Sequence, residues 1–337
     1  MEKIVIITDT WTESVNGVTT ALVHTKEELE RQGFAVTMIH PGLFKTVLSL
    51  PQARDVKLAM SSRKHLKDMI LAEKPKYIHI ATEGSLGLVG RMTCLHNHWK
   101  FTTSYHTHFP AYVKIRYKYF ESTTYSYLRW FHNAAANTMV STGTLKQDLE
   151  SHGFRNVVIA PLGVDLNLFK KNPQAKLPDR VQTPVFAFLG RVAPEKNITA
   201  FLECKLPGSK LIIGDGPSKE SLAQKYPDAV FVGYQKGQAL VDLLSISNVL
   251  VFPSKTDTFG LVIIEAMACG VPAAGYDVEG PKDIITDGVD GFLGDDLEKN
   301  AIKCLQLKPE DCIKKAQMFS WASATEKFVQ NLVNFQG

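Results

Sequence analysis

Two cations and two acids in the second half of the chain have the types and spacing to hold a sugar attached to a diphosphate. Arg191 and Lys196 lie in the run GRVAPEKN, which starts at Gly190. Side chains from one proline-turned loop can converge on a diphosphate. Asp257 and Glu265 lie in VLVFPSKTDTFGLVIIEAMACGVP, which passes from an apolar strand into a helix. The free N–H groups of that helix's first turn, around Thr258, Phe259, Gly260 and Leu261, favour an anion. Glu265 falls about two turns further on, too far to act as a cap. An acid on an apolar helix needs a polar partner, and ribose hydroxyls would serve. A plainer reading stands beside each of these. Asp257 and Thr258 can simply cap the helix, with Glu265 on a solvated edge. Lys196 can pair with Glu195 in a solvated turn.

Other candidates also fall where strands end. Gly214 and Gly216 flank an acid in GDGP, a pattern that suits backbone contact with a nucleotide or simply a tight turn. In the first half, Gly17 follows the strand-end sequence DTWTESVN and precedes a helix. It permits close approach of a ligand, or serves loop conformation alone. His106 sits in SYHTHFP, with His108 beyond it and His96 and His98 upstream. A zinc site built from these histidines lacks a convincing third ligand type. A histidine facing a ligand is preferred to a structural one, and both to a metal site.

The elements that must position these residues follow from the pattern of apolar runs. Strands alternate with helices in both halves, which is the mark of parallel sheets covered on both faces. In the first half, strands are expected near Ile4–Thr8, Phe34–His40, Tyr77–Ala81, Phe101–Tyr105, Thr138–Ser141 and Val157–Ala160, with helices such as Thr19–Gln32 and Leu145–His152 between them. In the second half, strands are expected near Pro184–Leu189, Lys210–Ile213, Val230–Val232, Asn248–Phe252 and Val271–Ala274. The result is α/β: two doubly wound, Rossmann-like domains, 1–168 and 177–318, joined by a polar linker from Phe169 to Pro178. A terminal helix lies within about 319–337. Ligands of open parallel sheets bind beyond the strands' carboxyl ends, so the expected site is a cleft between the domains.

The 337 residues suffice for two domains of ordinary size. The N-terminus runs directly into a strand with no signal-peptide pattern, and the five cysteines lack metal or redox spacing, so a cytoplasmic protein is expected. Charge is uneven. Residues 1–165 hold 19 Lys and Arg against 14 Asp and Glu, and all ten histidines precede residue 153. An anionic surface or acceptor would meet that half. Tyr112–Phe120 interleaves cations with aromatics, as a segment resting on an anionic bilayer would, or as a solvated helix would. Nucleic-acid binding is not supported, because the charge is spread over a whole domain and no recognised motif accompanies it.

Taken together, GRVAPEKN, GDGP and FPSKTDTFGLVIIEAMACGVP resemble the retaining glycosyltransferases of family 4, which have the GT-B fold. In the first half, DTWTESVNGV, HIATEGSLG, TTSYHTHFPAYV and PLGVD are similar to a branch of bacterial lipid and glycolipid mannosyltransferases and sulfoquinovosyl-type enzymes. The resemblance implies a nucleotide-sugar donor and a lipid or glycan acceptor, with mannose favoured and no cofactor or metal. Gly17 would lend its amide to the donor diphosphate and His106 would contact the transferred sugar. Arg191 and Lys196 would neutralise the diphosphate, with Gly190, Gly214, Gly216 and the helix-opening residues around it. Glu265 would bind ribose. Asp257 stands where the family's commonest pattern has glutamate, so its reach toward the sugar is shorter. The terminal helix would cross back to the first domain, and the protein would work at the inner face of the membrane. Two rival classes share these anion groups. A phosphorylase of the glycogen type would need a pyridoxal-binding lysine, which is not identifiable, and product analysis would separate a phosphorylase or an epimerase from a transferase. A non-catalytic sugar-nucleotide sensor would not need His106.

Overall fold

The computed structural model describes residues 1–12, 17–44, 47–50, 53–59, 61–110, 113–114 and 120–336. It divides into two units. The first comprises Met1–Leu162 with Trp321–Gly337, and the second Gly163–Ser320. Each is built on a six-stranded sheet.

In the first unit the strands are β1 (Lys3–Ile7), β2 (Ala35–Ile39), β5 (Tyr77–Ile80), β6 (Thr102–Ser104), β7 (Asn137–Val140) and β8 (Val157–Ile159). They run parallel in the order β2-β1-β5-β6-β7-β8. Successive side chains of a strand face opposite ways, and β1 (KIVII) is apolar on both faces for that reason. Ile4 and Ile6 enter one core with Leu22, Leu29 and Phe328, whereas Val5 and Ile7 enter another with Leu66, Ile70, Leu86 and Phe131. Burying both faces is what permits an all-parallel sheet. Phe328 comes from the terminal helix Trp321–Gln330, which therefore completes the core of the first unit. Trp321 stacks on His24, Asn137 donates to the Asn331 carbonyl at 2.7 Å, and Phe335 enters the second of these cores.

In the second unit β9 (Val185–Leu189), β10 (Ser209–Ile213), β11 (Val230–Gly233), β12 (Val249–Phe252), β13 (Ala273–Gly275) and β14 (Gly291–Leu293) form a parallel sheet in the order β11-β10-β9-β12-β13-β14. Phe186 and Phe188 of β9 pack with Phe201, Leu202, Ile212 and Val251.

Three features differ from the sequence expectation. An antiparallel hairpin, β3 (Val47–Leu50) with β4 (Ala53–Ala59), fills a stretch in which no strand was expected. The strand expected at Val271–Ala274 begins two residues later, and β14, only three residues long, pairs beside it. Phe169–Pro178 is also no free linker. Phe169 is buried, and Asn172 bonds to the Ser245 hydroxyl and the Asp242 carboxylate at 2.8 and 2.7 Å, so the segment is fastened to the second unit.

Candidate active site

In the second unit the candidate residues lie beyond the carboxyl ends of β9, β10 and β12. After β9 the chain turns through Gly190 and Arg191 into a 3-10 turn, Pro194–Lys196, started by proline at its first position. Asn197 then adopts a left-handed conformation (φ 51°) before the helix Ile198–Glu203, and its amide donates to the Pro253 carbonyl at 3.1 Å. Thr256 reaches back to the Glu195 carbonyl at 3.4 Å. These bonds tie the loop after β9 to the loop after β12. They bring Lys196 onto Asp257, with which it forms an ion pair. The turn is thus not the solvated Lys196–Glu195 arrangement. The second oxygen of Asp257, Oδ2, is buried and has no hydrogen-bond partner among the described residues. Arg191 is exposed on the same loop.

Gly214 (φ 146°) has a structural reason of its own. A Cβ there would lie 1.9 Å from the Gly190 carbonyl oxygen, and one at Gly216 2.4 Å from that of Val192. The loops after β9 and β10 therefore pack backbone against backbone. Val192 N–H donates to the Asp215 carbonyl at 2.9 Å. Asp215 itself turns outward to Lys219, 2.9 Å away.

The helix Leu261–Ala268 opens on Gly260, which is left-handed (φ 94°) and offers no side-chain cap. Thr258 and Leu261 are partly exposed beside it, whereas Phe259 is buried against Phe319 and belongs to the core. Gly280 supports this loop from behind, since a Cβ there would lie 2.6 Å from the Asp257 carbonyl oxygen. Sequence reasoning missed Gly280, whose only local signal is the EGP turn. Glu265 keeps some solvent contact. Even so, burial pushes its pKa up to about 7, and its carboxylate has no ion-pair or hydrogen-bond partner among the described residues. The plainer reading of Glu265 as a fully solvated edge residue does not describe this environment.

In the first unit Gly17 begins the helix Gly17–Arg31 in open space. The residues before it, 13–16, lie outside the described residues, as do 112 and 115–119 of the cationic-aromatic segment. The helix Ser85–His96 of the same unit already holds a carboxyl group at its opening. Asp9 accepts from the N–H groups of Leu86 and Gly87 at 2.7 and 3.2 Å and from the Thr82 hydroxyl at 2.8 Å. Burial raises the Asp9 pKa and these bonds oppose the rise. Asp9 was not singled out from sequence, although it lies two residues beyond the end of β1.

His106 follows β6 at its carboxyl end. Burial, and then the charge on His132, hold its pKa down to about 4, so it is a neutral imidazole at pH 7. His79, within the sheet on β5, is held at about 3 and is fixed by Thr102 and Ser104 at 2.9 and 3.0 Å. His108 turns toward Asp148, 3.6 Å away, and that contact lowers the aspartate's pKa. His96 ends the helix Ser85–His96, and both it and His98 are exposed.

Residues 15–168 match the model of Glycosyltransferase Family 4, and residues 169–304 match that of Glycosyl transferases group 1. Sulfoquinovosyl transferase SQD2 of Arabidopsis thaliana is 28% identical over 82% of this chain, which spans 60% of that relative's length. A GDP-mannose-dependent alpha-mannosyltransferase of Corynebacterium glutamicum is 26% identical over 87% of this chain and 76% of its own. Among solved structures, a sucrose-phosphate synthase from Thermosynechococcus elongatus superposes with a TM-score of 0.79 at 21% identity, covering 98% of each chain. That likeness is one of fold.

Proposed function

Because the chain belongs to glycosyltransferase family 4 and has the GT-B fold, we propose that it moves mannose from GDP-mannose to a lipid or glycan acceptor, with retention and without a metal. In this reaction the bond between the sugar's anomeric carbon and the diphosphate breaks. A bond to the acceptor oxygen forms on the same face. The acceptor's proton passes to the departing phosphate oxygen, and the nucleoside diphosphate leaves. The developing negative charge on that oxygen is where stabilisation matters most. Lys196, Arg191 and the uncapped helix opening at Gly260 carry that task, Glu265 binds ribose, and His106 contacts the sugar as a neutral group. Mannose and GDP rest on the printed name of the Corynebacterium relative.

The observation that carries this reading is the junction of the loops after β9 and β12. There Lys196 is fixed on Asp257 beside an uncapped helix N-terminus, and Asp257 Oδ2 is left to accept a sugar hydroxyl. Lys196→Ala should abolish transfer, measured by release of nucleoside diphosphate and formation of glycosylated acceptor, while the circular dichroism spectrum stays unchanged. Near-normal turnover would sink the reading.

We further propose that the first unit rests on an anionic bilayer. Met92, Leu95, Tyr127 and Trp130 are exposed, and the almost fully buried Arg91 lies 3.7 Å under the Trp130 ring and bonds to the Trp130 carbonyl at 2.8 Å. Exposed aromatics on the unit that carries the excess of positive charge suit a lipid headgroup region.

A further inference from the structure

A cavity of about 710 Å³ opens on the first unit, between the helix Glu121–His132 and the end of the helix Gly143–Ser151. Its volume is that of a small-molecule site. Ser122, Ser126 and Arg129 recur on one face of the first helix, at the spacing of its turns, and form one wall. Ser151 and His152 form the other. Tyr125 joins the two. Its ring stacks on that of His152, with centroids 3.8 Å apart and planes at 3°, and its hydroxyl donates to the Asp148 carboxylate at 3.2 Å. His152 is fixed a second time, with Nδ1 2.8 Å from the Asp148 carbonyl.

The polar atoms of these walls are mixed in kind. Arg129 donates one N–H to the His152 carbonyl at 2.9 Å, an ordinary service at a helix end, and its other N–H groups have no partner among the described residues. The Ser126 and Ser151 hydroxyls donate to the carbonyls of Ser122 and Asp148 at 2.9 and 2.7 Å, so toward a ligand both oxygens accept. The one acid of the lining, Glu121, is paired with Lys114 at 2.9 Å. Donors and acceptors side by side suit a ligand whose every polar group does both, as a sugar hydroxyl does, whereas phosphate oxygens chiefly accept. The cavity also adjoins the strand end that carries His106. The Tyr125 hydroxyl lies 3.4 Å from Nε2 of His108, two residues beyond His106.

We propose that this cavity is a carbohydrate subsite, which holds a neutral sugar unit of the acceptor away from the hydroxyl that is glycosylated. The proposal rests on the reading of the chain as a transferase and narrows its acceptor to one with a glycan part. Arg129 supplies the donors, the oxygens of Ser126 and Ser151 accept, and the stacked rings of Tyr125 and His152 keep the two walls in place.

Binding can be measured without turnover. Amide NMR spectra of the full chain are followed, with no donor present, as mannotriose, maltotriose, cellotriose or inorganic phosphate is added. At least one saccharide should shift the amides of Ser126, Arg129, Ser151 and Gly153, and phosphate should not. Arg129→Gln should weaken that binding about tenfold, the loss of one charge-assisted hydrogen bond. Ser126→Phe sets a ring over the cavity from an exposed helix position, so it blocks the site without disturbing the core. In turnover assays both variants should raise KM for an oligosaccharide acceptor and leave KM for the donor unchanged. Shifts with phosphate alone would make this an anion site and overturn the proposal. So would the absence of shifts with every saccharide, or equal saccharide binding in both variants. The transferase reading fails separately: saccharide binding in a chain that transfers nothing keeps the subsite and removes the reaction.

Discussion

Glu265, proposed to bind ribose, would serve its ligand at a cost to the fold. Burial raises its pKa from the ordinary 4.5 to about 7, so between those values the folded chain binds a proton that the unfolded chain has released. Stability therefore falls as pH rises from about 4.5 through 7, and no further loss from this group follows above that. Glu265→Gln should raise the Tm at pH 8, by the equivalent of roughly 3 kcal/mol at most, and leave it almost unchanged at pH 4.5. Donor affinity should fall in the same variant. Differential scanning calorimetry at the two pH values checks the first claim, and an equal Tm change at both would refute it. Residue types were legible in the sequence, and environments were not. Lys196, Asp257 and Glu265 stood out as charges at strand ends, but the Lys196–Asp257 contact joins residues 61 positions apart and depends on two loops meeting.

At the scale of elements, the glycines divide by what surrounds them. Gly214 cannot carry a Cβ, because the Gly190 carbonyl oxygen would lie 1.9 Å away, whereas the space around Gly17 is open. Gly214→Ala should destabilise the second unit by roughly 2–4 kcal/mol, and Gly17→Ala should leave stability within about 0.5 kcal/mol. Chemical denaturation of each variant measures both, and equal losses would refute the distinction. If Gly17 serves the donor diphosphate, its variant loses turnover with the fold intact. Strands with several consecutive β-branched or aromatic residues, such as β1 and β12, could be located from sequence to within a residue, since both faces are buried. Only short or polar strands were missed. β14 is Gly-Phe-Leu, and β4 contains Arg54, Asp55 and Lys57.

On the scale of the whole molecule, the excess of positive charge and four of the exposed aromatics, Phe109, Phe120, Tyr127 and Trp130, fall on the first unit, whereas Tyr234 is exposed on the second. None of the described helices is long and apolar enough to cross a membrane, and the attachment proposed is to a surface. Binding to vesicles should increase with the fraction of anionic phospholipid and weaken as salt rises, because screening shortens the reach of surface charge. Trp130→Ala should reduce it severalfold with little change in Tm. Binding indifferent to lipid charge and to salt would remove the membrane from the proposal. The path of the chain has another consequence. Trp321, Phe328, Leu332 and Phe335, from the segment 321–337, complete the packing of a unit otherwise made of residues 1–162. Everything between, Gly163–Ser320, forms a unit of its own. During synthesis from the N-terminus, every residue of the second unit is therefore made before the segment 321–337 that completes the first. The half whose synthesis begins earlier is thus the one whose core is completed later.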